Sequence, residues 1–439
     1  MKSKILNQAA LARVPRRAFA AAAAVMAAAL CTPGGTPRAG AAGGADEASA
    51  TALSSGRRAW VGTWATALTT ASPFDTGRSL SGFEDESIRT IVQTSIGGSR
   101  VRIRLSNVYG EGDLTIGHAT VARPAAPSTP ELDPRTVREL TFGGSQSVTV
   151  PAGGEVLSDP VQMFVQPVSL LAVTIYLPQA TGPASWHWFA RQTAYVYDGD
   201  HASDAGGDGY TSTLEHFFFL AGVEVQGGRR ADGAVVVLGD SIADGPFLPL
   251  DVNLRWPDFL ARRIDRNRHG ARDLGVLNLA LSGNPAGHDG DEVGLPELGP
   301  SGLHRLNEHV YVQPGVRTVI VALGLNDIFQ HDDPPEVIIA SLHLIAADLR
   351  QEGLRVLLAT MGPATGDPSW TPEREATRQA VNEYVRTTRD ADGFVDVDLA
   401  LRDPANPARL NPLFDNGDHV HPNEKGNLAI AEIVPLRRL

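Results

Sequence analysis

The periodicity of apolar residues differs between two parts of the chain, and that of the first part is typical of β-strands. Over residues 100–105, Val101, Ile103 and Leu105 alternate with three arginines, which predicts a strand with one buried face. Short apolar runs, many bounded by glycine or proline, predict further strands at 88–96, 114–122, 147–150, 170–177 and 192–195, with the glycine pair 97–98 as a hairpin turn. This spacing predicts an antiparallel β-sandwich of jelly-roll-like form over residues 58–230.

From residue 231 onward the rhythm is that of an α/β domain. Continuous apolar runs occur at 234–238, 276–280, 318–323, 355–360 and 394–397. Helical patterns lie between them or after them, at 256–266, 302–311, 335–351, 373–388 and from about 422. Residues 231–439 are therefore expected to form a parallel sheet covered by helices on both faces. Ligands of such sheets bind outside the carboxyl ends of the strands, so the residues that follow each strand are the first candidates for a site.

The first 41 residues have the composition of an export signal. Basic residues without any acidic one precede an apolar run at 18–30, and small residues follow it, with Ala-Gly-Ala at 39–41. That order predicts a signal peptide over 1–41 and a secreted protein, and Arg16-Arg17 resembles a twin-arginine signal. The apolar run is shorter than the about 20 residues that span a bilayer, so no stable membrane anchor is expected. Residues 42–57 are expected to form a linker.

Charge and cysteine content exclude several classes of protein. The 439 residues carry a net charge of −12, and removal of the six basic residues of the signal takes it to −18. Nucleic-acid binding, which depends on clustered lysine and arginine, is therefore not expected. The one cysteine, Cys31, lies in the signal, which excludes a disulfide within the chain and a cysteine-based zinc site. Nothing in the sequence indicates an oligomeric state.

Four polar blocks follow predicted strands or precede the last predicted helix, at 239–242, 281–284, 324–327 and 418–422. Ser241 in the first block can act as a nucleophile if a base lies beside it, and His421 in the last block is a candidate base. Asp418 lies three residues before His421 and can orient its imidazole. An oxyanion would also need donors, which the N–H groups of Ser241 and Gly283 and the side-chain amide of Asn326 can supply.

These blocks, in this order, resemble those of the GDSL/SGNH family of serine esterases and lipases, whose block residues match Ser241, Gly283, Asn326 and His421. The segments 253–258, 313–317 and 94–102 resemble a two-domain secreted bacterial branch of that family. The resemblance implies a flavodoxin-like three-layer α/β/α fold, hydrolysis of carboxylic esters, and neither a metal nor an organic cofactor. The first block reads Gly-Asp-Ser-Ile at 239–242, whereas the family is named after Gly-Asp-Ser-Leu. The exchange of leucine for Ile242 does not alter a catalytic group.

Two further observations concern the surroundings of this site. Trp256 and Trp370 could line an acyl or sugar pocket, although a place in the core or at the rim fits each of them as well. His419 and His421 form a His-x-His pair, but no set of carboxylates and histidines accompanies it in the sequence, so no metal site is expected.

The sequence thus predicts a secreted serine ester hydrolase whose substrate is an ester, either a lipid or an acetylated carbohydrate. Three alternatives stay open: a carbohydrate-binding protein with a vestigial hydrolase domain, an acyltransferase that passes the acyl group to an alcohol, and an amidase or peptidase. The absence of Gly-x-Ser-x-Gly around Ser241 argues against an α/β-hydrolase.

Overall fold

The computed structural model describes residues 59–73, 77–228, 231–267 and 273–439. The predicted signal peptide and linker, with Arg16, Arg17 and Cys31, lie outside these ranges. The described residues belong to one compact unit. Within that unit, none of the helices has both the length and the apolar character needed to cross a membrane.

The first part of the unit consists of antiparallel strands. Its elements are β1 (Trp60–Ala65), α1 (Arg78–Ser81), β2 (Glu86–Gln93), β3 (Gly98–Ser106), β4 (Leu114–Ile116), β5 (His118–Ala122), β6 (Arg138–Glu139), β7 (Val148–Val150), β8 (Glu155–Leu157), β9 (Val161–Val165), β10 (Leu170–Leu177), β11 (Trp186–His187), β12 (Ala194–Asp198), β13 (Ser212–Leu214), β14 (Phe217–Phe218) and β15 (Leu220–Gly227).

These strands form two larger sheets. One has the order β1-β15-β3-β8, with β9 also on β3, and the other has the order β13-β12-β2-β10-β5-β6. In addition, β11 pairs with β14, and β4 pairs with β7. The two larger sheets contribute to one apolar core, as expected of a sandwich.

The alternation predicted for β3 is confirmed by its burial. Val101, Ile103 and Leu105 are fully buried in the sandwich core. On the other face, Arg102 and Arg104 donate hydrogen bonds to the buried carboxylate of Glu224 on β15, at 2.6 and 2.9 Å. Opposite charges on adjacent strands stabilise the pairing that the apolar face requires.

The glycine pair 97–98 does not form the predicted hairpin turn. Strands β2 and β3 lie in different sheets, and neither glycine has the positive φ that a two-residue hairpin turn requires at its first position. The chain leaves β2 because Thr94 bonds to the carbonyl of Ser169 and Ser95 bonds to that of Thr63. The segment is therefore a corner between two sheets.

The second part is a doubly wound parallel sheet. The elements are β16 (Ala231–Gly239), α2 (Ser241–Asp244), α3 (Trp256–Asn267), β17 (Asp273–Asn278), β18 (Val316–Ala322), α4 (Leu325–His331), α5 (Pro335–Gln351), β19 (Arg355–Ala359), α6 (Pro372–Thr387), β20 (Gly393–Val395), α7 (Val397–Leu401), the antiparallel pair β21 (Arg402–Asp403) and β22 (Asn406–Leu410), and α8 (Glu424–Ile433). The order of the strands in the parallel sheet is β17-β16-β18-β19-β20. Numbered by their sequence in the chain, these strands have the 2-1-3-4-5 order of flavodoxin-like folds.

Burial along β16 shows that helices cover both faces of this sheet, as predicted. Val236 and Leu238 lie in one apolar cluster, to which α4, α5 and α6 contribute. Val235 and Val237 lie in a second cluster, to which α3 and α8 contribute. A strand buried on both faces is continuously apolar, which is the pattern that the sequence displays.

The helix predicted at 302–311 is reduced to one π-helical turn, Leu306–Val310. Arg305, immediately before it, points inward and bonds to the ends of two strands, and His309 is also buried. These inward contacts draw the segment away from the regular helical period. Single π turns are frequent near functional sites.

The two parts of the unit meet where β1 crosses β17. Ser95 Oγ accepts the N–H of Val276 at 2.9 Å, which ties the antiparallel region to the parallel sheet. The backbones approach so closely that a Cβ on Gly275 would overlap the carbonyl oxygen of Gly62. The crossing therefore requires a residue without a side chain at position 275.

We expect Gly275→Ala to destabilise the whole unit by about 1–3 kcal/mol, because the methyl group meets backbone that cannot rotate away. The measurement is the free energy of unfolding in urea. Gly206→Ala is the matched control, since a Cβ there meets nothing within 4 Å, and it should change stability by less than about 0.5 kcal/mol. Equal stability of the two variants would contradict the close crossing.

Candidate active site

Ser241 lies on a tight turn directly after β16. Asp240 caps the four-residue helix α2, its Oδ1 accepting the N–H of Ile242 at 3.0 Å. Ser241 is the first residue of that helix, where backbone N–H groups have no partner within the helix. The turn therefore presents both the hydroxyl and an available N–H at the carboxyl end of a central strand.

A continuous chain of hydrogen bonds joins the three residues predicted to form a triad. Ser241 Oγ is 2.8 Å from His421 Nε2, and His421 Nδ1 is 2.6 Å from Asp418 Oδ2. Because a carboxylate only accepts, Nδ1 carries the proton, and Nε2 is left to accept from the serine hydroxyl. This is the tautomer that a general base needs.

Asp418 is held in its ionised form by its neighbours. Burial raises the pKa of this carboxyl, but the hydrogen bond and charge of His421 and the backbone N–H groups of Val420 and His421 outweigh it and lower the pKa to about 2. Those two N–H groups lie 3.0 and 2.8 Å from Oδ1. The carboxylate can therefore stabilise an imidazolium on His421 at any pH near neutrality.

Gly283 lies in the loop after β17, with φ of +82°. A side chain there would be strained by that φ, and its Cβ would come within 2.7 Å of Leu298. The Gly283 carbonyl accepts from Gln330 Nε2 at 2.7 Å, which fixes the orientation of the loop. Its N–H makes no hydrogen bond to any of the described residues.

Asn326, on the first turn of α4, is the third predicted donor. Its Nδ2 makes two long contacts, 3.4 Å to Asp240 Oδ2 and 3.3 Å to the carbonyl of Asn284. Its Oδ1 accepts from Gln330, one helical turn later, at 3.3 Å. The amide is thus oriented but weakly bonded, which leaves it able to donate to a ligand.

A buried arginine holds the strand ends that carry these groups. Arg305 donates to the carbonyl of Gly239 at 2.9 Å, to that of Leu279, and to Asn284 Oδ1 at 2.9 Å. Burial lowers its pKa to about 9, a value at which the guanidinium is still charged near neutrality. No local pattern in the sequence indicates this role, because every partner lies more than 20 residues away.

Comparison with known proteins agrees with this geometry. Residues 237–429, which contain Ser241, Gly283, Asn326, Asp418 and His421, match the model of the GDSL-like lipase/acylhydrolase family. This region is a GDSL-like lipase/acylhydrolase domain. Since the family consists of lipases and acylhydrolases, the chain is a carboxylic ester hydrolase. No match was found among curated proteins.

Solved structures similar to the GDSL-like domain cover less than half of this chain. A GDSL-like lipase from Bacteroides thetaiotaomicron is 17% identical, with 46% of this chain and 84% of that one covered and a TM-score of 0.33. The esterase EstA from Pseudoalteromonas sp. is 18% identical, with 45% and 92% covered and a TM-score of 0.32. An acetyl-xylooligosaccharide esterase from Geobacillus stearmophilus is 19% identical, with 46% and 91% covered and a TM-score of 0.33. Scores this low add nothing to the assignment from the family model.

The two predicted substrate-binding tryptophans have different environments. Trp256 is only 2% exposed and packs in the core between α3 and the sheet, which contradicts the expectation that it lines a pocket. Its place at the start of the apolar stripe of α3 explains the burial. Trp370 is partly exposed and lies against Phe329 of α4, with ring centroids 4.9 Å apart. Its contact with substrate stays a prediction.

Phe247 is an aromatic residue at this site that the motifs did not reveal. It follows α2, is 50% exposed, and meets the His421 ring edge-on with centroids 4.9 Å apart. Its proximity to Ser241 in the sequence was the one available signal. The half-exposed ring gives the GDSL-like domain an apolar surface directly beside the imidazole.

One group of possible metal ligands occurs among the described residues, but its geometry does not suit an ion. His288, Glu292 and His331 offer ligand atoms within 4.8 Å of one another. The two imidazoles are stacked with planes only 12° apart, so their in-plane lone pairs do not converge on a common point. Both nitrogens of His288 instead bond to carboxylates, those of Glu292 at 2.9 Å and Asp333 at 2.8 Å. His419 bonds to Asp415 at 2.7 Å.

Asp240 generates a pH dependence of stability. Burial raises its pKa to about 7, against an ordinary value of 3.8. Between these values the native carboxyl keeps a proton that the unfolded chain has released, so stability falls as the pH rises through this window. Asp240→Asn keeps an acceptor for the cap and removes the titration. We expect the free energy of unfolding of the wild type, relative to this variant, to fall by a few kcal/mol between about pH 4 and pH 7. Urea unfolding at several pH values measures it, and a constant difference would contradict the prediction.

Proposed function

We propose that this protein is a secreted serine ester hydrolase that acts through an acyl-enzyme on esters with a short-to-medium acyl chain or on acetylated carbohydrate. The observation that carries the proposal is the hydrogen-bonded chain from Ser241 Oγ through His421 to Asp418, with links of 2.8 and 2.6 Å. A serine with this environment is activated as a nucleophile.

In the first half of the reaction, Ser241 Oγ attacks the ester carbonyl and its proton passes to His421 Nε2. Asp418, whose pKa is lowered to about 2, is ionised near neutral pH and stabilises the imidazolium that results. Collapse of the tetrahedral intermediate breaks the bond to the alcohol oxygen, which takes the proton from His421. The alcohol leaves and the acyl group stays on Ser241.

The negative charge on the tetrahedral oxygen requires donors that are already in place. In this proposal the N–H groups of Ser241 and Gly283 and the Asn326 amide supply them. The long hydrogen bonds of Asn326 Nδ2, at 3.3 and 3.4 Å, support this role, because the amide loses only weak hydrogen bonds when it donates to the oxyanion instead. Water then attacks the acyl carbon with His421 as the base, and the acid is released.

The surroundings of His421 bear on the substrate. Phe247 offers a half-exposed apolar face at the edge of the imidazole, on which an acyl chain or the apolar face of a sugar ring can pack. Secretion rests on the order of basic, apolar and small residues within positions 1–41. A jelly-roll form for the antiparallel region and a two-domain secreted ancestry are parts of the same proposal.

The first test is hydrolysis of p-nitrophenyl esters from acetate to palmitate by the mature protein and by Ser241→Ala. We expect turnover by the wild type with an optimum at short or medium chains, and loss of turnover in the variant, because the nucleophile is gone. Added glycerol or sugar, with analysis of the products, distinguishes transfer to an alcohol from hydrolysis. Absence of turnover on every ester, or equal turnover by the variant, would point to a vestigial domain.

A second test concerns the oxyanion donors. Asn326→Ala should lower kcat by about 10²–10³, since it removes one donor that acts mainly in the transition state. Asn406→Ala, at an exposed position on β22, is the matched control and should leave kcat unchanged. Steady-state kinetics on the best ester measure both. A wild-type kcat in Asn326→Ala would remove this residue from the oxyanion hole.

A further inference from the structure

A buried histidine of the antiparallel region reaches the turn that carries Ser241. His187, on β11, has its side chain almost fully buried and lies stacked beside Phe217. Its Nε2 is 2.9 Å from Oδ1 of Asp244, the last residue of α2. Asp244 is equally buried. A residue 54 positions before the proposed nucleophile thus contacts the same helical turn.

The other oxygen of Asp244 holds the loop that contains Gly283. Asp244 Oδ2 accepts both the backbone N–H of Ser282 at 3.1 Å and its hydroxyl at 2.6 Å. The peptide that follows Ser282 carries the Gly283 N–H, one of the proposed oxyanion donors. Asp244 therefore joins the turn at the end of β16 to the loop at the end of β17.

The ring of His187 lies between two acceptors. Its Nδ1 faces the carbonyl oxygen of Ala67 at 2.9 Å, and its Nε2 faces the Asp244 carboxylate. Because a carboxylate only accepts, Nε2 carries a proton and donates it to Asp244. This buried hydrogen bond fixes the position of the carboxylate.

The position of Asp244 matters for the chemistry nearby. Asp244 accepts from both donors of Ser282, and Ser282 is adjacent to Gly283, so a shift of the carboxylate would displace the Gly283 N–H. An oxyanion donor is effective only when it is already aimed at the developing charge. His187 contacts Asp244 directly at 2.9 Å and holds it by the oxygen that does not bond to Ser282.

We infer that His187 is a positioning residue for the oxyanion hole: it holds Asp244 by a hydrogen bond, and Asp244 in turn fixes Ser282 and the Gly283 N–H. The inference rests on the proposed function and adds a role for the antiparallel region in it. Through this contact the β-rich half of the chain helps to set the geometry of the site.

The test compares His187→Leu, which removes the donor to Asp244, with His187→Gln, which keeps an amide donor within reach of Asp244. His187→Leu should lower kcat about 10- to 100-fold with little change in KM. The displaced Gly283 N–H would stabilise the transition-state oxyanion less well, whereas the bound ester does not depend on that hydrogen bond. His187→Gln should recover most of the loss. The inhibition constant of a trifluoromethyl ketone, which adds the Ser241 hydroxyl to form a hemiketal oxyanion, should rise in parallel with the fall in kcat/KM.

His118→Leu is the matched control. His118 is also a buried histidine of the antiparallel region paired with carboxylates, those of Asp200 and Glu139, but it has no contact with the site. It should leave kcat unchanged even if it lowers the melting temperature. An equal loss of kcat in both leucine variants would overturn the inference, since the effect would then be general destabilisation.

Ser282→Ala keeps the test decisive if His187→Leu does not fold. It removes the hydroxyl donor to Asp244 and should lower kcat about 3- to 10-fold with KM retained. Combined with His187→Gln, its effect should be smaller than the product of the single effects, because both act through Asp244. Unchanged kcat in Ser282→Ala, or independent effects, would overturn the inference. Lack of turnover by the wild type is a different result, which overturns the proposed function itself.

Discussion

The site depends on one buried cation that has no carboxylate bound to it. Arg305 donates its hydrogen bonds to the carbonyls of Gly239 and Leu279 and to the side chain of Asn284. A charge removed from water is stable only where dipoles converge on it, so the ends of two neighbouring strands must stay together around the guanidinium. Ser241 and Gly283 follow those ends within a few residues. The separation of nucleophile and oxyanion donors is therefore set by a group that touches neither.

Much of the parallel half could be predicted because its signals are local. Continuous apolar runs predicted all five parallel strands. The predicted bounds of helix α5, Pro335–Gln351, are those observed in the structure. The site residues could be placed together because parallel strands end at one edge of a sheet. The structure brings Ser241, His421 and Asp418 into hydrogen-bond contact, with Asn326 reaching the cap residue Asp240 next to the serine.

What sequence reasoning missed depends on contacts between distant segments. The corner at Gly97–Gly98 arises from bonds to residues 63 and 169, so no pattern within the segment distinguishes it from a hairpin. The burial of Trp256 depends on the cluster formed with α8, and the π turn before β18 follows from Arg305. His187 on β11 and Asp244 on α2 form a contact between residues 57 positions apart, one in the antiparallel part and one in the parallel part. Helical or strand periodicity carries no information about such pairs.

The crossing of β1 over β17 also has a consequence for how the chain folds. Strand β1 pairs with β15, some 160 residues later, and β15 ends at Gly227 only shortly before β16 begins at Ala231. The last strand of the antiparallel part is therefore followed almost directly by the first strand of the parallel sheet. The sheet that contains β1 can form only after β15 is available to pair with it. Such high contact order slows folding. A chain that started at Ala231 would expose to water the face of β17 on which Gly62 and Ile96 pack, and would lack that part of the apolar core.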